Sequence, residues 1–226
     1  MSRVMAVVEG QTEQVFVRDV LAPWLWDASG VEFVASPAGV PGKKGGNVYA
    51  KVRRDILNHL KNPYFNFVTT FFDFYGMPSK WPGRKEANSK SHANKAGCVE
   101  KAIRADIAKN VDKKATGKFR PYVQMHEYEA LLFSEPTALA EVMRNEDAVA
   151  ELVAIREEFQ SPEEINDSQQ TAPSKRVETI FPFYNKPYHG VLAAKRITVE
   201  KMLEECPHFR EWLTWLQSLG GGEGEE

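Results

Sequence analysis

Three apolar runs in this chain each end in a carboxylate. Val4-Met5-Ala6-Val7-Val8 leads into Glu9, with Gly10 and a second acid, Glu13, close behind. Phe65 to Phe72, almost unbroken in aromatic and β-branched residues, leads into Asp73. Phe119 to His126 leads into Glu127-Tyr128-Glu129. Acids at the carboxyl ends of buried strands stand where open α/β sheets place their ligands. Crowded carboxylates cost free energy unless a proton or a cation lies among them. An all-oxygen donor set suits Mg2+ or Mn2+ rather than a structural zinc, which takes Cys and His. Two such ions about 4 Å apart would clamp the attacking and leaving oxygens of a phosphoryl transfer.

Glu9, Asp73 and Glu127 are therefore expected to be catalytic metal ligands, with Glu13 and Glu129 completing the set. Glu127 and Glu129 share a face only if the backbone there is extended; once a helix has begun they diverge by about 200°. Glu127 is the preferred ligand of the two. A lysine, Lys175 or Lys186, would neutralise developing negative charge, with Lys175 assigned as the catalytic one. His126 or His189 could carry a proton. Lys43, Lys44, Lys175, Arg176, Lys186 and His189 are the expected contacts to an anionic substrate. Strand-end acids beside Lys/Arg-rich loops fit a phosphate ester better than a glycoside.

The elements that must hold these residues are read from periodicity. Val4–Val8 is a buried strand, followed at once by a helix from about Glu13 to Trp26 in which Pro23 ends or kinks the run. Val31–Ala35 is a second strand. Residues 36–47 form a basic, glycine-rich loop able to approach phosphate. Tyr49–Lys61 is helical, with Val52, Ile56 and Leu60 on one face. Phe65–Asp73 is a strand covered on both faces. Residues 79–96 have no periodic pattern and read as a long loop. A helix over about 98–107 and a basic turn over 109–118 come next, then the Phe119–His126 strand. Pro136 to about Phe159 reads as two short helices, a further helix starts at Thr171–Arg176, and Tyr184–Gly190 is a turn. In the helices from Val191 to Leu219, the stripe Leu203, Phe209, Trp212, Leu213, Trp215 and Leu216 reads as core.

Composition narrows the classes. The 226 residues, 42% hydrophobic and 27% charged, suit one well-buried domain. A net charge of −2 argues against nucleic-acid binding by bulk charge but leaves room for a local basic groove. Cys98 and Cys206 lack metal-ligand spacing and read as free thiols of a cytoplasmic protein. No run approaches a membrane span. There is no GxxxxGK[ST] loop, no GxGxxG and no GxSxG.

Six runs, taken together and in order, resemble the bacterial DUF4276 family. They are Val8-Glu9-Gly10-Gln11-Thr12-Glu13, Phe72-Asp73-Phe74-Tyr75-Gly76-Met77-Pro78, His126 to Phe133, Pro162-Glu163-Glu164-Ile165-Asn166, Ala172-Pro173-Ser174-Lys175-Arg176 and His189-Gly190. That family is regarded as Toprim-like and related to the nuclease domains of OLD-family proteins. The resemblance implies a Toprim-like (Rossmann-like) α/β core over residues 1–135 with a mainly parallel central sheet. A helical C-terminal part over 136–219 would complete the site, ahead of a disordered tail at 220–226. It implies that Glu9 matches the Toprim glutamate, Glu13 the further acid of OLD-type sites and Asp73 the first aspartate of Asp-x-Asp. Tyr75 stands where the second aspartate would be, which leaves Glu127 and Glu129 as replacement ligands. The implied activity is Mg2+- or Mn2+-dependent hydrolysis of nucleic acid, DNA or RNA, in phage defence or mobile-element control. An ATPase partner is implied, and a homo-oligomer is compatible with it. The missing aspartate keeps open a degenerate module that binds nucleic acid or the ATPase without catalysis, and a small-substrate phosphatase is a third reading.

Overall fold

The computed structural model describes residues 1–39, 48–165 and 170–221. Five strands carry it: β1 (Arg3–Val8), β2 (Glu32–Pro37), β3 (Phe67–Asp73), β4 (Phe119–Arg120) and β5 (Val123–Gln124). They form a parallel sheet in the order β2-β1-β3-β4, with β5 continuing the pairing on β3. Parallel strands are covered on both faces, so their sequences are nearly continuous apolar runs. The two faces still alternate. Val4, Ala6, Val8 and Phe71 enter one core, whereas Val7, Val68 and Phe72 enter the other.

Helices close both faces. After β1 the chain forms α1 (Gln11–Phe16), a π turn over Val17–Leu21 and α2 (Ala22–Ser29). The helix was expected to break or kink at Pro23. It continues instead, because Pro23 lies in the first turn of α2 directly after the wider π turn, where the regular ladder is already interrupted. On the opposite face, α3 (Tyr49–Lys61) buries Val52, Ile56 and Leu60.

Residues 79–96 are not the long loop expected. They hold α4 (Arg84–Ala87) and the first turn of α5 (His92–Ala108). The buried positions of α5 are Ala96, Val99, Ile103 and Ile107. Its first turn is polar and solvated, so it carries no apolar stripe. The basic turn at 109–118 contains α6 (Lys113–Gly117), capped when the Asp112 carboxylate accepts from the Ala115 N–H at 2.7 Å. The single strand expected over 119–126 is split into β4 and β5 at Pro121-Tyr122, where proline removes a donor.

Beyond β5 lie a 3-10 segment (Tyr128–Ser134), α7 (Pro136–Val142), α8 (Val149–Glu157) and α9 (Pro173–Ile180). A π turn (Lys186–Gly190), α10 (Val191–Ile197), α11 (Val199–Glu205) and α12 (Pro207–Ser218) follow. The expected C-terminal stripe is core: Phe209, Trp212, Leu213 and Leu216 are buried beside β1 and β3 residues. Trp212 stacks on Tyr122 at 4.2 Å, meets Phe71 edge-on at 5.6 Å, and donates its indole N–H to Thr69 Oγ1 at 2.9 Å. Cys98 and Cys206 are free. Among the described residues no helix is long and apolar enough to cross a membrane.

Candidate functional site

Register alone brings the first two acids together. Val8 pairs with Phe71, so Glu9 and Asp73 emerge side by side at the carboxyl edge of the sheet. The Glu9 N–H donates to Phe71 O at 3.2 Å, and the Asp73 N–H donates to Glu9 Oε2 at 3.4 Å. Asp73 pairs in turn with Gln124, which draws the 127–129 segment over it. The Tyr128 N–H donates to Asp73 Oδ1 at 3.0 Å.

Glu13 comes from the first turn of α1 and accepts from the Gly10 N–H at 2.8 Å. Gly10 itself is extended, with φ −157°, so no left-handed turn demands glycine there. Glu127 is still extended (φ −141°, ψ 159°), while Glu129 lies in the 3-10 turn behind it. Both are buried. The Ser174 N–H, in the first turn of α9, donates to Glu127 Oε2 at 2.9 Å, so the positive end of that helix meets a carboxylate. Glu129, 1% exposed, takes the Lys186 ammonium at 2.9 Å from Oε1. That contact is an ion pair without hydrogen-bond alignment, and Oε1 has no hydrogen-bond partner.

Among the described residues, five carboxylates thus share one corner with one lysine. Burial, followed by the Glu9 charge, pushes Glu13 up to about 7. Burial also lifts Glu129 to about 7, in spite of Lys186. Asp73 is driven well above the carboxylate range by burial and then by the charges of Glu13, Glu9, Glu129 and Glu127. Glu9 is raised by burial. Burial works to discharge Lys186, but Glu129, Glu127 and Asp73 outweigh it and hold its ammonium above the usual lysine value. Chemically, this is a cluster of oxygen donors short of positive charge among the described residues. Among the described residues, no three His, Cys, Asp or Glu side chains stand close enough to hold one ion as they are.

The remaining expected residues fall elsewhere. Lys175 is exposed and paired with Glu178 at 2.6 Å, so Lys186 is the lysine the fold brings to the acids. Arg176 turns away to Thr171 O and the Phe159 ring. Lys43 and Lys44 lie outside the described residues, as do 222–226. His189 accepts the Asn185 N–H at Nδ1 (2.9 Å), bracing the turn that carries Lys186. His126 faces His92 and Phe74 rather than the acids. Burial, then His92, Lys95 and Arg84, push it down to about 3, so it is neutral and no proton carrier near pH 7.

Two groups escaped the sequence reading. The Ser174 N–H was implicit in the helix start at Ala172-Pro173, since the first N–H groups of a helix have no internal partner. Tyr184, whose buried hydroxyl has no hydrogen-bond partner, left no such mark.

A parallel α/β sheet flanked by helices, with its acids gathered at the carboxyl edge, defines the class as a Rossmann-like domain with an acidic site. The family model described as Domain of unknown function (DUF4276) matches residues 8–217, and the chain belongs to that family. No curated protein and no solved structure matches it.

Proposed function

We propose that this protein is a Toprim-like, Mg2+- or Mn2+-dependent nuclease that hydrolyses nucleic-acid phosphodiesters. In this reading it serves phage defence or mobile-element control in a bacterial cytoplasm, alongside an ATPase partner. The observation that carries the reading is that Glu9, Glu13, Asp73, Glu127 and Glu129 lie together at the carboxyl edge of a parallel sheet, with Lys186 paired to Glu129.

The donor set fits a hard divalent cation. It is all oxygen, and three of its five acids, Glu13, Glu127 and Glu129, are buried. Glu9, Asp73 and Glu127 would hold the first ion, and Glu13 and Glu129 a second. When bound, such an ion sets positive charge against the oxygens of a phosphoryl group. The chain's own parts do the rest. Lys186, held on its turn by Asn185 and His189, places an ammonium where negative charge would develop. The N–H groups of Asp73, Tyr128 and Ser174 fix the orientation of Glu9, Asp73 and Glu127.

The test is cleavage of labelled DNA and RNA by the full chain, with and without its ATPase, in Mg2+ or Mn2+ against EDTA. Glu9→Gln and Asp73→Asn should each lower the rate at least 100-fold with the melting temperature retained. Metal-independent cleavage, or none under any of these conditions, sinks the reading.

One observation favours the non-catalytic alternative: the acids already commit oxygens to backbone N–H groups, and no three of them group around a point. Calorimetric titration separates the two, since a module without catalysis takes up Mg2+ and Mn2+ weakly or not at all.

A further inference from the structure

We propose that the groove between α5, α6 and β4 holds the phosphate backbone of nucleic acid. Residues 80–120 carry twelve Lys and Arg (Lys80, Arg84, Lys85, Lys90, Lys95, Lys101, Arg104, Lys109, Lys113, Lys114, Lys118, Arg120) against four acids, Glu86, Glu100, Asp106 and Asp112. That is a net +8 in a chain of net −2, so the rest of the molecule totals −10. The charge is concentrated rather than scattered, and a concentrated charge steers a polyanion whatever the total.

Three of the four acids are turned to structural work. Glu100 Oε1 accepts the Val123 N–H at 2.9 Å and contacts His208 Nε2 at 2.8 Å. Asp106 accepts the Tyr49 hydroxyl at 2.8 Å and pairs with Arg53 at 3.2 Å. Asp112 caps α6. Lys101, Arg104 and Lys113 are therefore left exposed with no acid partner among the described residues. These three line one groove of about 630 Å3 together with Glu100 and with Arg120, the latter paired with Glu211 at 2.6 Å. Gly97, Ala105 and Ala108 keep its walls low.

Its position follows from α5. His92, at the start of the helix, sits beside His126, the residue before Glu127; Glu100, further along, bonds to β5. The basic flank thus runs along the β4/β5 side of the sheet, with the groove at its β4 end. The 17-residue helix is about 25 Å long, the span of roughly seven phosphates of one strand.

Two other partners fit less well. A protein interface is anchored by buried aromatic or aliphatic side chains. The exposed large apolar residues among those described are Met1, Trp26, Val48, Tyr64, Phe183, Tyr188 and Leu192, none of them on this flank. The same lack tells against an anionic membrane surface. The identity of the polyanion rests on the nuclease reading above; the charge and the groove do not.

The experiment is fluorescence anisotropy of a 20-base-pair DNA duplex and of single-stranded RNA, with the full chain in EDTA so that nothing is cleaved. The variant Lys101→Ala/Arg104→Ala/Lys113→Ala should bind at least tenfold more weakly. On duplex DNA its log K against log salt slope should fall by about 2–3, near 0.9 for each phosphate no longer neutralised. Lys61→Ala/Lys195→Ala, also exposed but on α3 and α10, should stay within twofold of wild type. Should the triple variant melt early, Arg104→Gln alone must still lower the slope by about 1.

Equal binding and equal slopes for wild type and variant would overturn the proposal, as would binding to phosphatidylserine vesicles but not to nucleic acid. Failure to bind nucleic acid while a small phosphodiester is cleaved overturns the groove and spares the active site. Groove-dependent binding without cleavage does the reverse.

Discussion

Two buried carboxylate sites in this protein look alike in the sequence and behave as opposites in the fold. Glu163, 3% exposed, lies in one of the six family-like runs, as Glu9 and Asp73 do. Its Oε2 accepts the His208 N–H and its Oε1 the Phe209 N–H, each at 2.9 Å. Both donors belong to the first turn of α12, so Glu163 caps that helix from a distant segment and meets its positive end. Each oxygen has its donor. At the sheet edge, by contrast, the aligned donors among the described residues come from four N–H groups, of Gly10, Asp73, Tyr128 and Ser174, and five acids share them with one ammonium. A buried acid with its donors supplied is architecture. Buried acids in excess of donors are a debt that a cation or protons must settle.

The difference can be broken most sharply by removing Glu163. Glu163→Ala strands two N–H groups, the buried one of Phe209 and the half-buried one of His208, at about 1–3 kcal/mol each. Denaturant unfolding should show a loss of about 3–5 kcal/mol. A loss under 1 kcal/mol would mean that α12 does not depend on this cap.

The acid corner should respond to pH in the opposite sense to an ordinary salt-bridged carboxylate. Glu13 and Glu129 titrate near 7 when folded, against an ordinary 4.5. Between those values the folded chain holds more protons than the unfolded one, so its stability falls as pH rises through that window. The two glutamates together add about 5 kcal/mol between pH 8 and pH 5, and His126, neutral when folded, offsets about 2 kcal/mol of it. In EDTA the protein should therefore be about 3 kcal/mol more stable at pH 5 than at pH 8, read as a Tm higher by about 5–10 °C. A Tm that rises from pH 5 to pH 8 would refute the excess of acid.

Glu13→Gln should then be stabilising, by about 1–2 kcal/mol at pH 8 in EDTA, because it keeps an acceptor for Gly10 and removes a charge. It should also flatten the pH profile. Destabilisation would place Glu13 with Glu163 among the architectural acids.

The smallest effect concerns the turn that carries Lys186. A Cβ on Gly190 would come within 2.7 Å of Tyr184 Oη and 3.1 Å of Tyr128 Cε1. The Tyr128 hydroxyl already donates to Gly190 O at 2.9 Å, so that ring has little room to give. Gly190→Ala should cost about 1–2 kcal/mol in chemical denaturation. No loss would show that the turn yields freely.

Much of this arrangement could be read from the sequence because it is local. The runs ending at Glu9 and Asp73 are apolar on both faces, and only a covered parallel strand needs that. Val52, Ile56 and Leu60 mark α3 by spacing alone. The first turn of α5 leaves no such mark because it faces water. The split between β4 and β5 is equally hidden, because Pro121 acts through a partner strand. Lys175 and Lys186 are equivalent in the sequence. The choice between them is made by a turn braced at Asn185 and His189 and by Glu129, 57 positions before Lys186. Glu163 could not be told from a ligand, since the helix it caps begins 44 residues later.

The bond from Trp212 to Thr69 spans 143 positions. It has a consequence for how the chain reaches its fold. One face of the sheet is sealed by α12, so its core cannot close until the chain has been synthesised as far as that helix. Contacts of such sequence separation make folding slow. Until then β1 and β3 wait with apolar faces bare, the condition in which nascent chains aggregate.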